Sequence, residues 1–128
     1  MEISYRLVEE ALEHLWDYSY LGAHPLASRP FTRSYLANGK GRETHIDRGM
    51  ALSRLLQDAI QKLKALQLRK PSSEARLYDI LYQAYVEGEK NPDVARRLDI
   101  SERTFYRERR RAIVVLTSVL AEMEKGAR

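Results

Sequence analysis

The chain has 128 residues, which is enough for one compact domain or for two small helical modules that share a core. Hydrophobic residues make up 44% and charged residues 31%, a balance that argues against wholesale disorder, and the lack of cysteine excludes disulfides and thiolate metal sites. No apolar run is long enough to cross a bilayer, and the N-terminal stretch is too acidic for a targeting peptide. We therefore expect a cytoplasmic protein with no membrane partner.

The first helix is predicted over about residues 4–20, where apolar residues recur at helical spacing. Its stripe consists of Tyr5, Val8, Leu12 and Leu15, widened by Leu7, Ala11 and Trp16. Gly22, Pro25 and Pro30 then interrupt the pattern. A polar loop follows to about residue 43, with basic residues at Arg29, Arg33, Lys40 and Arg42.

The second helix is predicted over about residues 44–68 and opens with Thr44 and Asp47 at capping-box spacing. Its main apolar stripe is formed by Leu52, Leu56, Ala59, Leu63 and Leu66, flanked by Met50, Leu55 and Ile60. Pro71 ends this helix because its ring cannot continue the hydrogen-bond ladder. We place a boundary here, between an N-terminal helical module at residues 1–70 and a second module at residues 71–128.

Three further helices are predicted in the second module, over about residues 73–87, 92–98 and 101–125. Gly88 terminates the first, Asn91 and Pro92 serve as N-cap and first residue of the next, and Ser101 caps the last. No segment shows the period-2 alternation of a strand. The fold class is therefore all-α, with about five helices.

Residues 91–112, NPDVARRLDISERTFYRERRRA, have the pattern of a helix-turn-helix. Ala95 is the small residue that a steep crossing of two short helices requires. The apolar wedge between them is predicted to consist of Val94, Leu98, Ile100 and Phe105. Asp99 occupies a turn position where a positive φ often selects glycine, and aspartate tolerates that conformation better than most residues. The long last helix is then the recognition helix.

Arginine is concentrated in this segment. Residues 96–111 contain seven arginines, three acids and no lysine, so this stretch alone carries a charge of +4. If Phe105 faces the core, helical geometry leaves Arg103, Arg107 and Arg110 on the exposed side. The planar guanidinium fork suits guanine edges and phosphates, so the pattern predicts binding to double-stranded DNA, with Arg103 and Arg107 reading guanine.

The other predicted DNA-binding residues follow from a recognition helix that enters the major groove with its first turns. Base edges or flanking phosphates are within reach of Ser101, Glu102, Thr104 and Tyr106. Contacts with the phosphate backbone, rather than with base edges, are predicted for Arg96, Arg97, Arg110 and Arg111.

The stretch ARRLDISERTFYRERRRA resembles the C-terminal helix-turn-helix of sigma-factor region 4 and of related bacterial regulators, over about residues 74–125. The resemblance implies DNA binding at promoter elements near RNA polymerase. Arg109 falls where that family usually has a core leucine, which implies either a buried aliphatic stem or a rotated helix. The resemblance also implies a bacterial protein that is associated with the nucleoid.

Other candidate sites are weaker. His14, His24 and His45 lack the spacing of metal ligands, and we predict neither a metal nor a cofactor. The glycines of residues 38–42 lack the spacing of a phosphate-binding loop, and no catalytic constellation is present, so an enzyme is not predicted. The basic loop at residues 29–42 is expected to be solvated, with a minor-groove or phosphate-contacting role as the alternative.

These patterns together predict a sequence-specific DNA-binding transcription regulator. The alternative is an adaptor that uses the same trihelical module for protein contacts without binding DNA. The N-terminal module would mediate dimerisation or contact RNA polymerase or another protein.

Surplus apolar residues on the last helix predict an interface, either within the chain or in a homodimer. The predicted residues are Ile113, Leu116, Leu120 and Met123, facing Tyr5, Val8, Leu12 and Leu15. Homodimerisation is the expectation, and packing between the two modules of one chain is the alternative.

Overall fold

The computed structural model describes residues 2–36, 44–69 and 76–127. Within these ranges the chain is helical and contains no strand, which confirms the all-α fold class. None of the described helices is long and apolar enough to cross a membrane. The helices are α1 (Tyr5–Glu13), α2 (Tyr18–Gly22), α3 (Pro30–Arg33), α4 (His45–Arg69), α5 (Leu77–Leu81), α6 (Asn91–Arg97) and α7 (Glu102–Gly126).

The predicted first helix is two helices. Ser4 caps α1, its Oγ accepting a hydrogen bond from the Leu7 amide at 3.3 Å, and α1 ends at Glu13. Asp17 starts α2, because its carboxylate accepts a hydrogen bond from the Tyr20 amide at 3.1 Å. The prediction of one continuous helix was therefore wrong, and Trp16, expected on the inward stripe, is 50% exposed.

The predicted polar loop also contains ordered structure. Pro25–Ser28 forms a 3₁₀ turn and Pro30–Arg33 forms α3, each with a proline in its first turn, where no amide proton is needed. Leu26 and Phe31 point into the core, and the Thr32 hydroxyl donates a hydrogen bond to the Leu26 carbonyl at 2.6 Å. The solvated-loop expectation was wrong for this part, because the turns bury its apolar residues.

The contact between α2 and α4 depends on two glycines. A Cβ atom at Gly22 would lie 2.2 Å from the His45 carbonyl oxygen, and one at Gly49 would lie 2.0 Å from the Tyr18 carbonyl oxygen. Both distances are below any van der Waals contact, so the backbones approach as closely as they do only because both positions lack a side chain.

The start of α4 agrees with its predicted capping box. The Thr44 amide donates to Asp47 Oδ2 at 3.2 Å, and the Asp47 amide donates to Thr44 Oγ1 at 3.1 Å. Four of the five predicted stripe residues are buried: Leu52, Leu56, Ala59 and Leu63. Leu66 is the exception, at 46% exposed.

One hydrophobic core joins α1, α4, α5 and α7. The predicted interface residues Val8, Leu12, Leu15, Ile113, Leu116 and Leu120 are all buried in it within a single chain, and Tyr5 and Met123 pack against it. The alternative of packing within one chain accounts for these side chains. The six buried side chains are enclosed within one chain and are therefore not available for contact with a second chain.

Several predictions fall outside the described residues. These are the glycine-containing stretch 38–42 with Lys40 and Arg42, the linker from residue 70, and the start of the third predicted helix at residue 73. The domain boundary at residue 70 lies there as well.

Candidate nucleic-acid interface

A second, smaller core holds three helical segments together. Ile80, Val94, Ala95 and Phe105 are buried in it, and Ala84, Leu98 and Ile100 pack against it. The predicted wedge of Val94, Leu98, Ile100 and Phe105 is therefore confirmed, with Ala95 between α6 and α7. Ile80 and Ala84, from the helical segment before α6, complete this core.

The turn between α6 and α7 has the geometry of a Schellman motif. Leu98 ends α6, and Asp99 follows with a φ of 57°. The Ile100 amide donates to the Ala95 carbonyl at 3.0 Å, and the Asp99 amide donates to the Arg96 carbonyl at 3.1 Å. The predicted positive φ at Asp99 is confirmed, and this geometry sets the direction in which α7 leaves α6.

The other helix ends of the module mostly agree with the sequence. Gly88 has a φ of 70° and follows a π-helical turn at Tyr82–Val86 that extends α5. The Ser101 hydroxyl caps α7 by accepting from the Thr104 amide at 3.1 Å. Asn91 was predicted to be the N-cap of α6, but it is the first residue of that helix. Lys90 takes the N-cap position without a side-chain hydrogen bond.

Arg103 and Arg107 lie on the solvent side of α7, opposite the buried Phe105. Within the described residues, neither guanidinium has an ion-pair or hydrogen-bond partner. Their neighbours Glu102 and Tyr106 are also exposed, and Tyr106 is exposed to 44%. The first two turns of α7 thus present a polar face with two uncompensated positive charges.

Arg96 and Arg97 on α6 are exposed but paired. Arg96 forms an ion pair with Asp93 at 3.3 Å, and Arg97 forms one with Glu89 just before α6. Both arginines are more than half exposed, so these ion pairs are screened and weak, and an incoming anion can replace them.

Three arginines in the next turns of α7 have different environments. The Arg109 guanidinium carbon lies 5.2 Å from the centroid of the Tyr106 ring, and its Nε is buried without a hydrogen-bond partner among the described residues. The Arg110 guanidinium carbon lies 5.6 Å from the Tyr5 ring centroid on α1. Arg111 is exposed.

The sequence pattern did not identify the ion pair between Arg76 and Glu108. Two hydrogen bonds join them, from Arg76 Nε at 3.0 Å and from Nη2 at 2.7 Å to the two carboxylate oxygens. Glu108 is 8% exposed although it lies on the recognition helix. The pair anchors α7 to the start of α5, 32 residues earlier in the chain, a separation that helical periodicity cannot detect.

The N-terminal helices also contact this module. The Trp16 indole donates a hydrogen bond to the Val86 carbonyl at 3.1 Å, at the end of the π-helical turn. Burial raises the pKa of the Tyr85 hydroxyl in that turn to about 12, so it stays protonated beside the guanidinium of Arg109. The position of the helix-turn-helix is thus set partly by the first module.

The histidines have structural surroundings. His14 stacks on Tyr20 with ring centroids 3.6 Å apart, and His45 makes a hydrogen bond to the Ser19 carbonyl at 2.6 Å. His24 is buried, and its Nδ1 accepts from the Leu26 amide at 3.2 Å. Among the described residues, no three His, Asp or Glu side chains are grouped so that they could hold a metal ion.

Comparison with known proteins supports the assignment of this module. Residues 71–113 match the homeodomain-like domain family, a helix-turn-helix family. The match covers less than half of the chain and includes the whole of α5 and α6, the turn, and the first half of α7. No curated protein and no solved structure showed significant similarity to the chain. The match supports a helix-turn-helix DNA-binding module, while the resemblance to sigma-factor region 4 is not confirmed.

Proposed function

We propose that this protein is a transcription regulator that binds double-stranded DNA in a sequence-specific manner, with the first turns of α7 in the major groove. The observation that supports this most strongly is the exposed, uncompensated pair Arg103 and Arg107 on the outer face of a helix-turn-helix. Two unpaired arginines one helical turn apart have no structural role that the described residues reveal. Guanine O6 and N7 are the base atoms that a guanidinium binds in bidentate fashion.

The polar residues around this pair would fix the helix on the duplex. The Ser101 hydroxyl donates to Thr104 Oγ1 at 3.0 Å, which leaves the Thr104 hydroxyl proton free for a phosphate. Glu102 can accept a hydrogen bond from a cytosine amino group, and Tyr106 offers its hydroxyl to the backbone.

The phosphate contacts are assigned to Arg96, Arg97, Arg110 and Arg111. The acids beside Arg96 and Arg97 form surface pairs worth no more than about 1 kcal/mol each, so a phosphate can displace them. Arg110 contacts Tyr5, so its phosphate contact would place α1 close to the duplex.

The direct test is a fluorescence anisotropy titration of the full chain with a labelled mixed-sequence duplex at several salt concentrations. Four phosphate contacts predict a slope of about −4 in a plot of log K against log salt. A selected high-affinity duplex should compete far better than the pool. Arg103→Ala should weaken binding to that duplex, while Lys125→Ala, which removes an exposed charge at the far end of the same helix, should not.

The adaptor alternative predicts the opposite result: no duplex binding at physiological salt, and no effect of Arg103→Ala. The N-terminal module is the part we propose for self-association or for contact with RNA polymerase or another protein. The proposed setting is the nucleoid in a bacterial cytoplasm.

A further inference from the structure

The ring of Tyr106, near the start of α7, is held between two neighbours. The Arg109 guanidinium carbon lies over the ring, 5.2 Å from its centroid. The buried Phe105 ring meets it edge-on, with centroids 5.4 Å apart and an interplanar angle of 79°. Tyr106 is nevertheless 44% exposed. A fixed aromatic surface therefore stands in solvent at the end of α7 that is proposed to enter the major groove.

The position of Arg109 is not explained by its own hydrogen bonds or ion pairs. Its Nε is buried and has no hydrogen-bond partner, and its guanidinium forms no ion pair among the described residues. A buried N–H without an acceptor is unfavourable. The guanidinium lies instead over the face of the Tyr106 ring, whose π-electrons attract a cation. This contact restrains the ring.

Tyr106 lies at the border of the face that is proposed to meet DNA. Arg103 precedes it by three residues, which is about 60° around the helix and about 4.5 Å along its axis. Successive base pairs are about 3.4 Å apart. The ring therefore faces a base within about two base pairs of the one that Arg103 contacts.

The chemistry of the ring limits what it can recognise. Its carbon atoms offer no donor or acceptor for the polar groups of the base edges. The apolar group that base pairs present in the major groove is the C5-methyl group of thymine. A ring whose orientation is already set in the unbound protein loses little conformational freedom when such a methyl group covers it.

We propose that the ring of Tyr106 packs on the C5-methyl group of one thymine within about two base pairs of the guanine bound by Arg103, and that Arg109 positions the ring. This inference deepens the proposed function and rests on it. The role of the ring is separate from that of the Tyr106 hydroxyl, which is assigned to the DNA backbone.

The test begins with a duplex selected from a random-sequence library by the full chain. Each thymine of this duplex is replaced in turn by deoxyuridine, which removes only the methyl group, and Kd is measured by fluorescence anisotropy. One replacement, within about two base pairs of the guanine whose preference Arg103→Ala relaxes, should weaken wild-type binding about three- to fivefold, as expected for exposing one methyl group. This scan needs no variant of Tyr106, so it decides the methyl contact even if a variant fails to fold.

Variants then assign the contact to the ring. Tyr106→Phe should keep the preference for thymine over deoxyuridine, because it keeps the ring, whereas Tyr106→Ser should bind the two duplexes equally. Tyr20→Ser is the matched control, because Tyr20 is a tyrosine of similar exposure, 37%, on α2 and outside the proposed DNA contact. The control should keep the wild-type preference. Circular dichroism should show the same helix content in all of these proteins.

Two variants test the positioning role of Arg109. Arg109→Met should lower the preference for thymine to about twofold or less, because the ring is then free to turn. Arg109→Lys should restore it, since an ammonium group is also attracted to a ring face. A merely structural role would change the affinity for the thymine and deoxyuridine duplexes by the same factor.

The methyl contact would be overturned if the selected duplex had no thymine in this window whose replacement weakens binding, or if Tyr106→Ser kept the preference. A preference that Arg109→Met leaves unchanged would overturn the positioning role. Selective duplex binding without a thymine preference that depends on Tyr106 counts against this inference alone, whereas a chain that binds no duplex contradicts the proposed function itself.

Discussion

Removing either partner of the pair between Arg76 and Glu108 should destabilise the fold by unequal amounts. The side chain of Glu108 is 11% exposed, while that of Arg76 is 40% exposed. Arg76→Met leaves a mostly buried carboxylate that loses both charge-assisted hydrogen bonds. Glu108→Met leaves a guanidinium that can turn into water.

The magnitudes follow from these environments. An uncompensated buried charge costs about 3–5 kcal/mol, and the residual exposure of Glu108 lowers the expectation for Arg76→Met to about 2–3 kcal/mol. Glu108→Met should cost about 1 kcal/mol or less, because a methionine can also fill the buried site. The double variant should be close to Glu108→Met alone, since without the carboxylate the arginine has no partner to lose.

Urea denaturation of the four proteins, followed by circular dichroism, gives the free energy of unfolding of each and the coupling energy of the cycle. If Arg76→Met costs no more than Glu108→Met, the pair is not the anchor of α7 that its geometry indicates. Equal and additive losses would show that each side chain acts through other contacts.

Three further predictions concern the site and the first module. Arg103→Ala or Arg107→Ala should cost about 1–3 kcal/mol at a selected duplex and relax base preference, whereas Arg97→Ala should weaken all duplexes alike; competition titrations separate these effects. Asp99→Ala should be less stable than Asp99→Gly by about 1 kcal/mol in thermal unfolding, because only glycine adopts a φ of 57° without penalty; equal stabilities would contradict this. Burial lowers the pKa of His24 below its ordinary value of 6.5, so the unfolded chain binds the proton more readily and the free energy of unfolding should fall as pH drops from 7 through 6. His24→Asn, which keeps a capping acceptor, should remove that pH dependence, and an unchanged slope would assign it to other groups.

The sequence by itself determined most of the helix ends, because their signals are local. The cap at Ser101, the capping box at Thr44 and the positive φ at Asp99 each depend on residues within one or two turns. The wedge around Phe105 was likewise predictable, since helical periodicity places its members on one face. The same periodicity indicated that Arg103 and Arg107 face away from the core.

Only the tertiary structure decided which partners these faces meet. Apolar periodicity cannot distinguish a neighbouring helix of the same chain from a second chain, so the stripes of α1 and α7 did not reveal that they share one core. Nor can it show which arginines have neighbours: Arg97 is paired with Glu89, while Arg103 and Arg107 have no ion-pair or hydrogen-bond partner among the described residues. Pairs such as Arg76 and Glu108 form because packing brings distant residues together, and that proximity is a property of the folded chain.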